Sequence, residues 1–158
     1  MRMKLAFLVT TALIAGPCLS LAADRGGVID VATIGEPPTL DPMASTADLV
    51  GIVTQHMFET LYTFDKNWNV TPLLAESLPE ITDDGKAYTI TLRTGITFHD
   101  GSEMTSEDVL ASLGRWTKLA SRGKQAAGFI ASMEAPDADT VLIKLTQPYA
   151  PLTSLLAF

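Results

Sequence analysis

His56 and His99 are the only histidines in the sequence, and imidazole is the side chain best suited to acid–base catalysis near neutral pH. His99 is followed directly by Asp100, an order in which the carboxylate can orient an imidazole base, as in a hydrolase. No nucleophile motif such as Gly-x-Ser-x-Gly accompanies the pair, and His99-Asp100-Gly101 also has the composition of a polar turn. A secreted hydrolase is therefore an alternative hypothesis, with the turn as the competing interpretation.

The sequence lacks the residue patterns that metal binding and nucleotide chemistry need. The two histidines do not form the i, i+4 pair of a metal-binding helix, and the sequence has no glycine-rich phosphate loop. Glu107 and Asp108 are adjacent carboxylates, but acidic residues at a helix start explain them without catalysis. The sequence therefore predicts a protein that is not an enzyme and that holds no metal or other cofactor.

The composition restricts the class of protein further. The chain has 158 residues, with 11 Lys and Arg against 18 Asp and Glu, a net charge of −7 and 47% hydrophobic residues. That share of apolar residues is too high for a disordered chain, and an acidic surface does not neutralise nucleic acid phosphates. A single cysteine excludes an internal disulfide. We therefore expect a folded protein that does not bind nucleic acid.

Residues 1–23 have the three parts of a secretory signal peptide. Basic residues precede an apolar run over 5–15, and the small residues of 20–23 offer a cleavage site. The run is shorter than the roughly 20 apolar residues that span a bilayer, so we expect cleavage and export. Cys18 is interpreted as part of this apolar region, with a lipid-modified N-terminus as the alternative.

The first elements after the signal peptide are a predicted strand and a predicted helix. Val28–Ile34 is short and rich in β-branched residues, and glycines and prolines bound it. A Ser-x-x-Asp box at Ser45 and Asp48 predicts a helix that runs to about Thr60. Its apolar face would hold Leu49, Ile52, Val53 and Met57.

Short strands are predicted over much of the remaining chain. A polar turn over 65–69 has the composition of a hairpin loop. Two further strands, Ala131–Ala135 and Thr140–Leu145, flank a turn of proline and aspartates at 136–139. The clearest strand lies at 88–92, where apolar and polar residues alternate.

A capped helix is predicted after the clearest strand. Thr105-Ser106-Glu107-Asp108 is a capping box, whose hydroxyl and carboxylate bind the free amides of a helix start. The run Ser121–Gln125 interrupts the helical pattern. The apolar face of this helix would hold Val109, Leu110, Leu113 and Trp116.

Nine sequence blocks occur in a characteristic order. They are Leu74–Leu78, Asp83–Arg93, Gly95–Gly101 and Thr105–Val109, flanked by Thr39–Pro42, Phe58–Leu61, Glu134–Asp137, Thr140–Val141 and Gln147–Pro151. In this order they closely resemble the signature of bacterial extracellular solute-binding proteins of family 5, the peptide, oligopeptide and nickel binding components of ABC importers. Most matching positions are turn glycines, core residues and a helix cap, so they identify a fold and not a ligand.

The resemblance implies an α/β fold of the two-lobed periplasmic-binding-protein type (type II), which closes over its ligand. It implies that residues 24–44 form the first segment of lobe I, including its first strand. Residues 45–158 would form most of a smaller accessory domain and return toward lobe I. Family members are longer and the sequence ends in an apolar segment, so we expect the N-terminal portion of a longer protein, with the main pocket elsewhere.

The resemblance also implies a function. The protein would capture peptides or similar small solutes, as a monomer in the periplasm, and deliver them to the permease and ATPase subunits of an ABC importer. A periplasmic chaperone or sensor on the same fold is a further alternative beside the hydrolase.

Four residues are predicted to contact the ligand. In an open α/β sheet the binding crevice lies beyond the carboxyl ends of the strands, and Val28–Ile34 leads directly into Gly35-Glu36-Pro37. The exposed backbone of Gly35, Glu36 and Pro37 could pair with an extended peptide as an added strand would. Phe129, which follows two small residues, is the second candidate. A solvated carboxylate at Glu36 and core packing of Phe129 are the competing interpretations.

Overall fold

The computed structural model describes residues 27–158. The chain divides into two compact units, Met1–Ala32 and Thr33–Phe158, and only residues 27–32 of the first are described. The predicted signal peptide at 1–23 and Cys18 lie outside the described residues.

The strand predicted over Val28–Ile34 is not present in the structure. These residues have no regular secondary structure, and their apolar side chains are exposed, with Val28 at 90% and Ile34 at 101% of full exposure. A strand exists through hydrogen bonds to a neighbouring strand, and none of the described strands pairs with this segment. The β-branched residues favour a strand, but among the described residues no neighbouring strand pairs with them.

The first helix, α1, is shorter than predicted and begins later. It spans Asp48–Thr54, because the Ser45 hydroxyl accepts the amide hydrogen of Ala47 in a local turn and does not cap the helix. The buried residues of α1 are Val50 and Thr54, whereas Ile52 on the predicted apolar face is 51% exposed. The hydroxyl of Thr54 donates to the carbonyl of Val50, which satisfies it inside the core.

A two-stranded antiparallel hairpin follows, as predicted. Its strands are β1, Tyr62–Phe64, and β2, Val70–Pro72. Asp65 organises the loop between them, because its Oδ1 accepts the amide hydrogens of Asn67 and Asn69 at 2.8 and 2.9 Å. These local hydrogen bonds lower the pKa of the Asp65 carboxyl, the largest cause being Asn69.

A four-stranded antiparallel sheet forms the centre of the second unit, in the strand order β3-β4-β6-β5. Its strands are β3, Glu80–Thr82, β4, Ala87–Thr91, β5, Ile130–Asp137, and β6, Thr140–Leu145. The alternation predicted at 88–92 is confirmed, since Tyr88, Ile90 and Leu92 are each at most 2% exposed. The exposed edge strand β3 was not predicted, because it has no buried residue to produce a pattern.

The hairpin of β5 and β6 is confirmed, with one difference in the turn. Pro136 lies inside β5 and not in the turn. The register shifts between Glu134 and Asp137, and β5 is an edge strand of the sheet. Proline has no amide hydrogen to donate, and a bulge on an edge strand is one of the few places in a sheet that tolerate it.

The capped helix α2 spans Ser106–Leu119, as the capping box predicts. Asp108 Oδ2 accepts hydrogen bonds from the backbone amide and the hydroxyl of Thr105, at 2.9 and 2.8 Å. Ser106 connects the helix start to the turn between β5 and β6, because its amide donates to the Ala138 carbonyl and its hydroxyl to the Asp137 carbonyl. The buried residues of the helix are Ser106, Val109, Leu113 and Trp116.

The interruption predicted at Ser121–Gln125 is confirmed for α2, which ends at Leu119, but the run itself forms a second helix that was not predicted. Helix α3 spans Ser121–Ala127, and its Gly123 is buried against α2. A Cβ atom at Gly123 would lie 2.1 Å from the carbonyl oxygen of Trp116. The glycine is therefore present for close helix packing and not to end a helix.

The last helix, α4, spans Leu152–Leu155 and adds Leu152 and Leu156 to the core. Over the described part of the chain, no helix combines the length and the apolar character needed to cross a membrane. The core of the second unit is one cluster, formed by residues of the sheet, the hairpin and the helices α2, α3 and α4. Its fully buried members include Tyr62, Ile90, Leu92, Val141, Ile143 and Leu152.

We expect Gly123→Ala to lower the stability of the fold by at least about 2 kcal/mol, because the added methyl group collides with the backbone at Trp116. Gly114→Ala in α2 is the matched control, since no atom lies within 4 Å of a Cβ built there. That change should stabilise the protein by about 0.5–1 kcal/mol through helix propensity. Thermal unfolding measures both, and equal melting temperatures for the two variants would contradict the close packing.

Thr105→Ala should cost about 1 kcal/mol of unfolding free energy through loss of the capping box. Thr105→Ser keeps the hydroxyl and should retain most of that stability. Chemical denaturation of the two variants checks this. A Thr105→Ala protein as stable as the unchanged one would mean that the cap contributes nothing.

Candidate ligand-binding site

The predicted contact residues Gly35 and Glu36 lie in a loop that runs over 33–47, here called the cleft loop. The hydroxyl of Thr33 donates to the carbonyl of Gly35 at 2.5 Å. A Cβ built on Gly35 would lie 3.5 Å from Leu49 Cδ1, an ordinary contact distance. Neither the space around this position nor its backbone conformation therefore requires glycine. The packing of the described residues does not explain why glycine is present, and a contact with a ligand stays a prediction.

Glu36 and Pro37 present unpaired polar groups. Glu36 is exposed and Pro37 half-buried, and among the described residues no hydrogen bond involves the Glu36 side chain. The backbone hydrogen bonds described outside helices and strands also leave Glu36 and Pro37 without partners. The amide of Glu36 and the carbonyls of both residues are free to pair with an extended chain.

An ion pair joins the cleft loop to α2. The guanidinium of Arg115 donates from Nη1 to Asp41 Oδ1 at 3.0 Å and from Nη2 to Asp41 Oδ2. This is the two-pronged geometry in which an arginine matches a carboxylate. The hydrogen bond from Arg115 is the main cause that lowers the pKa of the Asp41 carboxyl, and the same bond raises the pKa of Arg115.

The ion pair lies in a surface concavity of about 570 Å³ between the cleft loop and α2. Its walls are largely apolar, and Leu40 and Phe58 are 52% and 54% exposed. The charges of Asp41 and Arg115 neutralise each other, so the concavity offers apolar surface with polar atoms at one side. The other lining residues are Thr39, Pro42, Met43 and Ser112.

Phe129 occupies a different position, at the turn between α3 and β5. Its ring stacks on Tyr149 with centroids 4.0 Å apart and planes 10° from parallel. Its carbonyl accepts the amide hydrogen of Thr146, and the carbonyl of Tyr149 accepts the hydroxyl of Tyr88 at 3.2 Å. A packing role therefore accounts for Phe129, and a ligand contact by this residue stays a prediction.

The histidine–aspartate pair forms an exposed turn. Asp100 Oδ1 accepts hydrogen bonds from the amide and the hydroxyl of Ser102, at 2.9 and 2.7 Å. These bonds to Ser102 are the largest causes of the lowered pKa of Asp100. Asp100 is thus engaged by its own turn, and Gly101 allows that turn with φ at +87°. Within residues 27–158, no cluster of three potential metal ligands is present.

Sequence reasoning did not identify the role of Arg115. Its partner Asp41 lies 74 residues away in the sequence. The one available signal was that Asp41 belongs to the block Thr39–Pro42, which the resemblance singled out. No spacing rule connects two residues that only the tertiary fold brings together.

The family model of bacterial extracellular solute-binding proteins, family 5 Middle, matches residues 69–158, more than half of the chain. The glutathione-binding protein GsiB of Escherichia coli K12 is 35% identical over 151 residues, which cover 94% of this chain and 28% of that relative.

Solved structures show the same likeness. The periplasmic binding protein AgaA of Agrobacterium tumefaciens R10, in complex with agropinic acid, is 35% identical with a TM-score of 0.71, over 78% of this chain and 25% of its own. The ABC transporter-associated periplasmic binding protein DppA of Helicobacter pylori, in complex with the peptide STSA, is 29% identical with a TM-score of 0.67, over 75% of this chain and 27% of its own. The chain thus spans about a quarter of the length of these proteins.

The mixed α/β architecture and these structural neighbours define the fold as that of type II periplasmic binding proteins, as the resemblance implied. The chain belongs to the bacterial extracellular solute-binding proteins of family 5.

Phe129→Ala should lower the melting temperature, because it removes one partner of the stack on Tyr149, which we expect to be worth about 1–2 kcal/mol with the lost burial. Phe129→Tyr preserves the stacked ring and is the matched control. Thermal unfolding compares them. If Phe129→Ala melted at an unchanged temperature, the stack would not support the fold and the residue would be free for another role.

Proposed function

We propose that the natural protein containing this chain is the substrate-binding component of an ABC importer. It captures a peptide or similar small solute in the periplasm and delivers it to a membrane permease. The single observation that carries this proposal is the family match over residues 69–158. The chain spans about a quarter of its relatives, so the activity of the whole protein is inferred from them.

The ligand class rests on what related proteins bind. GsiB is named for glutathione, DppA holds the peptide STSA and AgaA holds agropinic acid. Two of these three ligands are short peptides or peptide-like compounds, which supports a peptide or a small solute of similar size. The periplasmic location, a monomeric state and partnership with permease and ATPase subunits belong to the same proposal.

We place part of the ligand contact at Gly35, Glu36 and Pro37. The support is the exposure of Gly35 and Glu36 and the backbone groups of Glu36 and Pro37 that have no partner among the described residues, since a peptide bound in extended form needs such donors and acceptors. The acidic side chain of Glu36 would favour a ligand that carries a positive charge nearby. Phe129 is the second proposed contact. A Phe129→Ala variant that stays folded should bind the ligand more weakly if this residue touches it.

Catalysis has no comparable support in the described residues. His99 lies in an exposed turn, and the Oδ1 of Asp100 accepts two hydrogen bonds from Ser102, which engage this carboxylate in its own turn. Binding without chemical conversion is therefore the function that we propose.

The test is a calorimetric titration of the natural protein with glutathione and with the peptide STSA. Gly35→Val should weaken binding at least about tenfold, because its side chain enters the space of the ligand while the contact with Leu49 remains tolerable. Gly114→Val in α2 is the control for adding the same side chain at an open position. Undiminished affinity in a folded Gly35→Val protein would place the ligand elsewhere.

A further inference from the structure

We propose that Arg115 is a positioning residue, which holds the cleft loop in its ligand-facing conformation through the carboxylate of Asp41. This inference rests on the proposed function, because it assigns a role toward the ligand contacts at 35–37. It concerns residues that make no direct contact with a ligand in the proposal.

The cleft loop has few other connections to the fold. The side-chain hydrogen bonds inside it are local, joining residues two positions apart, such as the Asp41 amide to the Thr39 hydroxyl and the Ala47 amide to the Ser45 hydroxyl. Among the hydrogen bonds of the described residues, the pair of Asp41 and Arg115 alone ties this loop to an element distant in the sequence. Apolar contact of Met43 with the core is the remaining support.

The ion pair also shapes the loop. Asp41 Oδ1, which accepts from Arg115, accepts the amide hydrogen of Met43 at 3.1 Å as well. The carbonyl of Asp41 accepts the amide hydrogen of Ala44 at 3.2 Å. The side chain of Asp41 thus supports this turn through Met43 and anchors it to a helix, while the backbone carbonyl of Asp41 closes the turn at Ala44.

The anchor is rigid at its other end. Arg115 directly precedes Trp116, and both Trp116 and Leu113 are buried against the core at 6% and 7% exposure. The capping box secures the start of the same helix. A binding site is held more precisely by a side chain on such a packed helix than by contacts within a loop.

Arginine is required for this role by its geometry. Its planar guanidinium presents two parallel donors to the two carboxylate oxygens, which fixes the orientation of Asp41 as well as its distance. A lysine at the same position would supply a single point of contact and leave the carboxylate free to rotate.

The test uses the natural protein and two readouts. The first is the affinity for glutathione and for the peptide STSA, measured by calorimetry. The second, which needs no ligand, is hydrogen exchange at the backbone amides of Asp41, Met43 and Ala44. The variants are Arg115→Gln and Arg115→Lys, and Lys118→Gln on the same helix is the control that removes an equal charge.

A fourth variant separates the turn from the anchor. Asp41→Asn keeps an oxygen that can accept the Met43 amide but can no longer offer two charged oxygens to Arg115. If the two residues act as one unit, Asp41→Asn combined with Arg115→Gln should have no larger effect than the stronger single change.

We expect Arg115→Gln to raise the dissociation constant about threefold or more and to speed exchange at the three amides, while the melting temperature stays near that of Lys118→Gln. Arg115→Lys should recover part of both losses. Exchange rates equal to those of the control would overturn the inference, whether or not either probe binds. If neither probe binds the unchanged protein although exchange responds to Arg115→Gln, the tested ligand class is wrong, but the anchor stands.

Discussion

The burial of one face of α2 against the core is the interaction on which the described structure depends. Val109, Leu113 and Trp116 are spaced three to four residues apart and all enter the cluster that contains the sheet. Removing them from water supplies the main favourable free energy for docking this helix. Hydrogen bonds from Ser106 to the turn between β5 and β6 hold the start of the helix. Apolar packing and these hydrogen bonds together fix the position of α2.

Other parts of the chain take their positions from α2. Helix α3 can approach α2 closely because Gly123 has no side chain to collide with the backbone of Trp116. Arg115, which precedes Trp116 in α2, extends to Asp41 in the cleft loop. Two adjacent residues thus connect the same helix to the interior and to the loop that we assign to the ligand.

The ion pairs of this protein position side chains more than they stabilise the fold. The three ion pairs among residues 27–158 are all partly exposed to solvent, where such pairs add little to the free energy of unfolding. Two of them join neighbours in the sequence or across one hairpin. The pair of Asp41 and Arg115 is different, because it closes a long loop of chain and orients both partners.

The sequence by itself determined the elements whose signals are local. The alternation at Tyr88, Ile90 and Leu92, the capping box at Thr105 and the hairpin loop at Asp65 were all predicted correctly, because each depends on residues within a few positions of one another. Only the tertiary structure decided that Gly123 packs inside a helix and that Val28–Ile34 lacks a strand partner within residues 27–158. It also decided that Asp41 meets Arg115 and that Phe129 stacks on Tyr149. The physical reason is that these outcomes depend on which distant surfaces come into contact, and composition and spacing carry no record of that.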